Sequence, residues 1–364
     1  MNLWRHADKW NAPPLEDAVT LGEGGTPLVH SRNIGRALGL KDLWFKLEGC
    51  NPTGSYKDRF AATAVSFLKR EGRTACLSTS SGNTGAALAA YCAHVGIRCV
   101  LAIVEGAPEG KLRQMRAYGA HLIRVKDFGM SPAVTVEVMS GLRGLASEVG
   151  AGFEISAFCF SPRAMSGVQT IGLEIAEALS SDRFDIFSPA GGGGLTLAAA
   201  RGVNSWGKSG RVHCVQPEGN DTIASALRAG RPNAAPIEST TAISGLQVGS
   251  VLDGDQVIAV CREQGGLGYV VTDKSVWDWQ ARLAREEGIF SEPAGAVAVA
   301  GVEQAVKRGE IDAGRHVVCL VTGSGFKEER SLLRMTGESD TLLARDFAEF
   351  AAAVRCELKR NDSV

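Results

Sequence analysis

The chain has 364 residues, 45% of them hydrophobic and 22% charged, with 39 basic side chains against 40 acidic ones and a net charge of −1. That length calls for two domains, and so even a charge gives no field to hold nucleic acid or an anionic membrane. No stretch approaches the roughly 20 apolar residues of a membrane span, and MNLWRHADKW lacks the apolar core of a secretory signal, so the expectation is a cytoplasmic protein that binds a small ligand.

The first informative stretch runs from Lys46 to Arg59, KLEGCNPTGSYKDR. A strand-like LWF precedes it, turn formers (Asn51, Pro52, Gly54, Ser55) crowd its middle, and a helical RFAATAVSFLKR follows. Lys57 therefore stands where a turn meets a helix. It reads either as a solvated helix-start lysine or as an amine held in a pocket to form a Schiff base.

From about residue 74, short apolar runs alternate with helix-period stretches: TACLSTS, TGAALAAYCAHVG, RCVLAIV, GKLRQMRAYGA and HLIRVK. Glycines close the helices at Gly96 and Gly119. This alternation predicts βαβ units and a parallel sheet. The pattern pauses at 151–163 and resumes with strand candidates FDIFSPA, RVHCVQPE, GYVVTD and HVVCLVTG. Between the last two, Val276, Trp279 and Leu283 fall on one face of a helix ended by Gly288, and another helix is expected near Ser291 and Pro293. The tail AEFAAAVRCELKRNDSV predicts a closing helix that frays. The nine cysteines show no metal spacing and mostly sit in apolar runs, which favours buried free thiols over disulfides or zinc.

Three strand ends carry polar loops. Ser80, Ser81, Gly82, Asn83 and Thr84 open a helix, where hydroxyls and free N–H groups serve either as ordinary N-caps or as a carboxylate or phosphate site. Gly191, Gly192, Gly193 and Gly194 join a strand to an Ala-rich helix, and four glycines together are too unfavourable in entropy for a plain turn. They suit a backbone cradle for a phosphate, and the absence of GxxxxGK[ST] points to a monophosphate cofactor rather than a nucleotide. Thr322 to Gly325 ends a third strand, and ligands of open parallel sheets bind at such ends.

In their order and spacing, NPTGSYKDR, SSGNTG, EGIFSEPAGAVAVAG and TGSGFK closely resemble the threonine synthase branch of the fold type II pyridoxal-phosphate (PLP) enzymes, the tryptophan synthase β-subunit superfamily. The likeness extends from LWRHAD and LGEGGTPLV to about residue 330. It implies two three-layer α/β domains with mostly parallel sheets: residues 1–49 with 161–350 as the large cofactor domain, 50–160 as the smaller substrate-side domain, and 351–364 as a C-terminal helix and tail. It implies pyridoxal 5'-phosphate held by Lys57, with Asn83 on the ring hydroxyl, Gly191 to Gly194 on the phosphate and Thr322 at the ring nitrogen. Ser80, Ser81 and Thr84 then receive the substrate carboxylate, and a homodimer is expected. A hydroxyl at the ring nitrogen suits elimination more than transamination.

One region departs from the family. Where threonine synthases carry a stretch like NSINPYRIEGQKT, this chain has SAFCFSPRAMSGVQT, which puts Ala164 at the usual arginine position and Arg163 one residue early. Arg163 and Lys111 read either as anion-binding residues for a phosphorylated substrate or as solvated helix-start charges. The resulting expectation is a PLP-dependent lyase or synthase that removes an α-proton with Lys57 and expels a β or γ leaving group. The leading reaction takes O-phosphohomoserine to threonine and phosphate. The alternatives are a dehydratase-like or cysteate synthase-like elimination or replacement enzyme on another amino acid, and a catalytically silent PLP-binding relative.

Overall fold

A computed structural model describes residues 2–107, 109–312, 314–337 and 341–361. Pro108 and the last three residues of the expected tail lie outside the described residues. Among the described residues, ten strands form two sheets: β1 (Leu28–His30), β2 (Leu43–Leu47), β3 (Ala75–Thr79), β4 (Arg98–Ile103), β5 (His121–Arg124), β6 (Gly152–Phe153), β7 (Phe184–Pro189), β8 (Arg211–Pro217), β9 (Gly268–Val271) and β10 (His316–Val321). The six-stranded sheet has the order β1-β2-β10-β7-β8-β9 and the four-stranded sheet β5-β4-β3-β6. Every pairing is parallel except β1 with β2. The chain leaves the larger sheet after β2, builds all of the smaller one, and returns at β7.

The parallel core explains why these strands read as unbroken apolar runs. Helices cover both faces of a parallel sheet, and all six residues of β7 are buried. Behind the larger sheet lies the helix Pro293–Lys307, which has proline in its first turn and is buried through most of its length. Beside it packs the helix Asp273–Glu287, with Val276, Trp279 and Leu283 turned inward. Its first turn is capped by Thr272, which accepts from Ser275 N–H, and Gly288 ends it at φ 69°.

The α/β architecture and the eight strands anticipated from the sequence are borne out. Two strands and several helices, among them Pro132–Glu148, Thr170–Ala178, Gly254–Glu263 and Glu329–Thr336, were not anticipated. β1 has three residues and β6 two, too few for any periodicity to show, and β6 falls inside the pause at 151–163. The helix Pro132–Glu148 packs against the smaller sheet through a few small residues such as Ala146, so its sequence carries only a faint apolar stripe. All nine cysteines are free thiols, six of them buried.

Candidate active site

The loops after β3, β7 and β10 open into one cavity of about 560 Å³. Lys57, Ser80, Ser81, Asn83, Thr84, Lys111, the four glycines and Thr322 all line it. Arg163 does not. The short helix Pro162–Ser166 buries Ala164, Met165 and Ser166, and the roughly 100° of rotation per residue turns Arg163 outward. There its guanidinium lies 2.6 Å from Glu71 and over the Phe67 ring, 54% exposed. This corrects the sequence expectation that paired Arg163 with Lys111 at the ligand.

Lys57 is the first residue of the helix Lys57–Arg70. Its loop is stitched to the end of β10: Tyr56 N–H donates to Thr322 O at 3.0 Å, Ser324 N–H to Gly54 O at 2.9 Å, and Ser55 bridges Gly323. The Lys57 amine sits 4.6 Å from the Tyr56 ring and donates to Ser156 Oγ at 2.7 Å. Asp58 closes the turn from behind, accepting from Thr53 N–H and Oγ1 at 3.0 and 2.8 Å, and burial pushes its carboxyl up to about 6.

One residue further on, Arg59 anchors the helix to the larger sheet. Its fully buried guanidinium makes a two-pronged contact with Glu48, both arms at 2.8 Å, and reaches Glu174 at 2.6 Å and Thr170 at 2.8 Å. Lys46 completes the group, 2.5 Å from Glu174. Two buried cations thus face two buried anions. The Arg59 and Lys46 charges hold the Glu174 carboxyl well below the usual range against the opposing effect of burial.

The glycine loop leads into the helix Gly194–Trp206. Gly193 has φ 95°, a left-handed conformation that glycine adopts without strain. A Cβ on Gly192 would fall 2.7 Å from the Leu252 side chain, and one on Gly193 2.8 Å from that of Val257. The loop is therefore pressed from behind and offers the cavity backbone alone, at a helix N-terminus where N–H groups lack carbonyl partners. Asp253, absent from the sequence reading, braces it: its N–H donates to Gly192 O at 3.0 Å, and its carboxylate accepts from Phe158 and Cys159 N–H.

Sequence reasoning also missed Glu292. This buried carboxylate accepts from Asn83 Nδ2 at 3.2 and 3.0 Å and from Thr322 Oγ1 at 3.1 Å. Burial raises its affinity for a proton, and Asn83, Lys327, Thr322 and Lys111 offset part of that rise. A Cβ on Gly323 would come within 2.5 Å of Glu292 Oε1, so the glycine makes room for the acid. The signal available in sequence was a single acid in the apolar run IFSEPAGAVAVAG.

The chain matches the family described as "Pyridoxal-phosphate dependent enzyme" over residues 19–323. It belongs to this family. The cofactor of this PLP enzyme is accordingly pyridoxal 5'-phosphate. Threonine synthase of Methanocaldococcus jannaschii is 31% identical over 348 residues, 93% of this chain and 84% of that protein. Threonine synthase of Halalkalibacterium halodurans is 31% identical, covering 91% of each. Among solved structures, the processed form of threonine deaminase isoform 2 from Solanum lycopersicum superposes with a TM-score of 0.73 at 22% identity, covering 92% of each chain. Maize serine racemase gives 0.69 at 24%, covering 93% of each. At those identities the two structures establish the fold type II architecture alone. The residues present fit PLP: a primary amine is available to its carbonyl, and a side-chain-free loop at a helix N-terminus is available to its phosphate.

Proposed function

We propose that this PLP enzyme is a lyase of the threonine synthase type, converting O-phosphohomoserine and water to threonine and phosphate. The observation that carries the reading is the company Lys57 keeps. The cavity that receives its amine also holds two further ammonium groups, Lys111 and Lys327, a complement suited to an amino acid with a second, distal anion. Threonine synthases among the relatives support it.

In this reading Lys57, Asn83, Thr322 and Gly191 to Gly194 hold the cofactor, whose ring, once bound, supplies an electron sink for negative charge developing at the substrate Cα. Ser80, Ser81 and Thr84, with the N–H groups at the start of the helix Asn83–Val95, receive the substrate carboxylate. Lys57 takes the Cα proton and returns protons along the substrate; the Ser156 hydroxyl orients the amine beforehand. Residues 1–49 with 161–350 form the cofactor unit and 50–160 the substrate-side unit, followed by the tail from 351. The protein acts in the cytoplasm as a homodimer, which sedimentation of the purified protein checks.

A second reading, a dehydratase-like elimination on an uncharged hydroxy amino acid, is favoured by Ala164 at the family's arginine position and by the outward turn of Arg163. Incubating the holoenzyme separately with O-phosphohomoserine, O-phosphoserine, threonine and serine decides between them. Threonine and phosphate released from the first substrate support the proposal. A keto acid from threonine or serine, with no turnover of O-phosphohomoserine, overturns it, and binding without turnover of any of the four points to a silent relative.

A further inference from the structure

Three parts of the chain meet at the mouth of the cavity. Lys111 stands on the helix Glu109–Ala117 beside the smaller sheet, Ser244 lies between β8 and β9, and Glu328 follows β10. Lys111 Nζ is 2.8 Å from Glu328 Oε2 and also donates to Ser244 Oγ. One turn along the same helix, Gln114 accepts from Lys327 Nζ at 2.6 Å, and Lys327 donates besides to Thr53 O at 2.9 Å. Lys111, Ser244, Lys327 and Glu328 all line the cavity. The side chains of Lys111 and Glu328 are 19% and 15% exposed, sheltered enough for the pair to matter and open enough to exchange partners.

We propose that Glu328 is a resident stand-in for the distal anion of the substrate: it occupies Lys111, beside Ser244, until the phosphate of an amino-acid phosphate ester takes its place. This rests on the reading of the cavity as an amino-acid site and names the groups that choose the substrate. A phosphate ester carries close to two negative charges and three acceptor oxygens, so it outcompetes one carboxylate for an ammonium group flanked by a hydroxyl and a second cation. An uncharged side chain offers nothing for the exchange and leaves the pair closed. Lysine suits the swap, since its ammonium is a point charge with three rotatable donors, whereas a guanidinium locks onto one carboxylate in a planar fork. The exchange makes and breaks ion pairs only and needs no co-reactant.

Calorimetric titration of the holoenzyme with inorganic phosphate tests this, because bound PLP already fills the glycine cradle. Glu328→Gln frees Lys111 and should tighten phosphate about three- to tenfold, and Lys111→Gln should weaken it about tenfold or more. In the double variant the gain from Glu328→Gln should vanish, since Glu328 then has no ammonium to occupy. Glu328→Asp, with a shorter reach, should move phosphate affinity in the same direction and serves if the glutamine variant does not fold. Unchanged or weaker phosphate binding in the Glu328 variants overturns the proposal, as does a gain that persists without Lys111. These outcomes are independent of turnover. A wild-type protein inert toward O-phosphohomoserine but following this binding pattern would sink the proposed reaction and leave the anion exchange standing.

Discussion

Replacing Arg59 by Met would remove one cation from a buried group of two cations and two anions while keeping much of its apolar bulk. Lys46 still neutralises Glu174, but Glu48 is 1% exposed and loses its cation together with both 2.8 Å hydrogen bonds. Truncating one partner of a buried pair costs about 3–5 kcal/mol, because the remaining charge stays desolvated. The penalty relative to wild type should therefore be of that size at pH 7.5. Urea unfolding of the apoprotein at that pH, followed by fluorescence and circular dichroism, measures it. A loss below about 1 kcal/mol would show that the guanidinium is not what neutralises Glu48.

Borohydride reduction of the holoenzyme followed by peptide mapping should place the pyridoxyl group on Lys57; a label on Lys46 or Lys111 would refute the assignment. Gly192→Asp should set a carboxylate at the cradle and weaken PLP at least about 100-fold in fluorescence titration, through charge repulsion and the crowding against Leu252, and wild-type affinity would remove the loop from the cofactor site. Burial lifts the Glu154 carboxyl to about 7, so its ionisation opposes folding as pH rises from about 4.3 through that value. Glu154→Gln should then be more stable than wild type at pH 8, by on the order of 3 kcal/mol, and lose the advantage at pH 4; a pH-independent difference would contradict this.

How much of this was legible in sequence follows from the range of the interactions. The strands of the parallel core announce themselves as apolar runs closed by Gly, Ser or Thr, and the lysine at the joint of turn and helix is a local pattern. Glu292 is not local. Its partners Thr322 and Asn83 lie 30 and 209 positions away, and before folding an acid ahead of a proline reads as a helix-start charge. The Arg59 group fails for the same reason, since Glu174 is 115 positions from the arginine. Ser156 opens the segment SAFCFSPRAMSGVQT, yet nothing in that segment ties it to an amine 99 positions earlier. Arg163 shows the opposite error. A one-residue offset looks small along the chain, but on a helix it separates the interior from solvent.

The smaller sheet is a single excursion from the larger one, with one outbound strand of backbone and one inbound. Lys57 rides on the outbound crossing and Ser156 on the inbound crossing, and their side chains are in contact at 2.7 Å. The Lys57–Ser156 hydrogen bond thus fastens the outbound crossing to the inbound one, so the candidate amine stands where the chain's two passages between the sheets are drawn together.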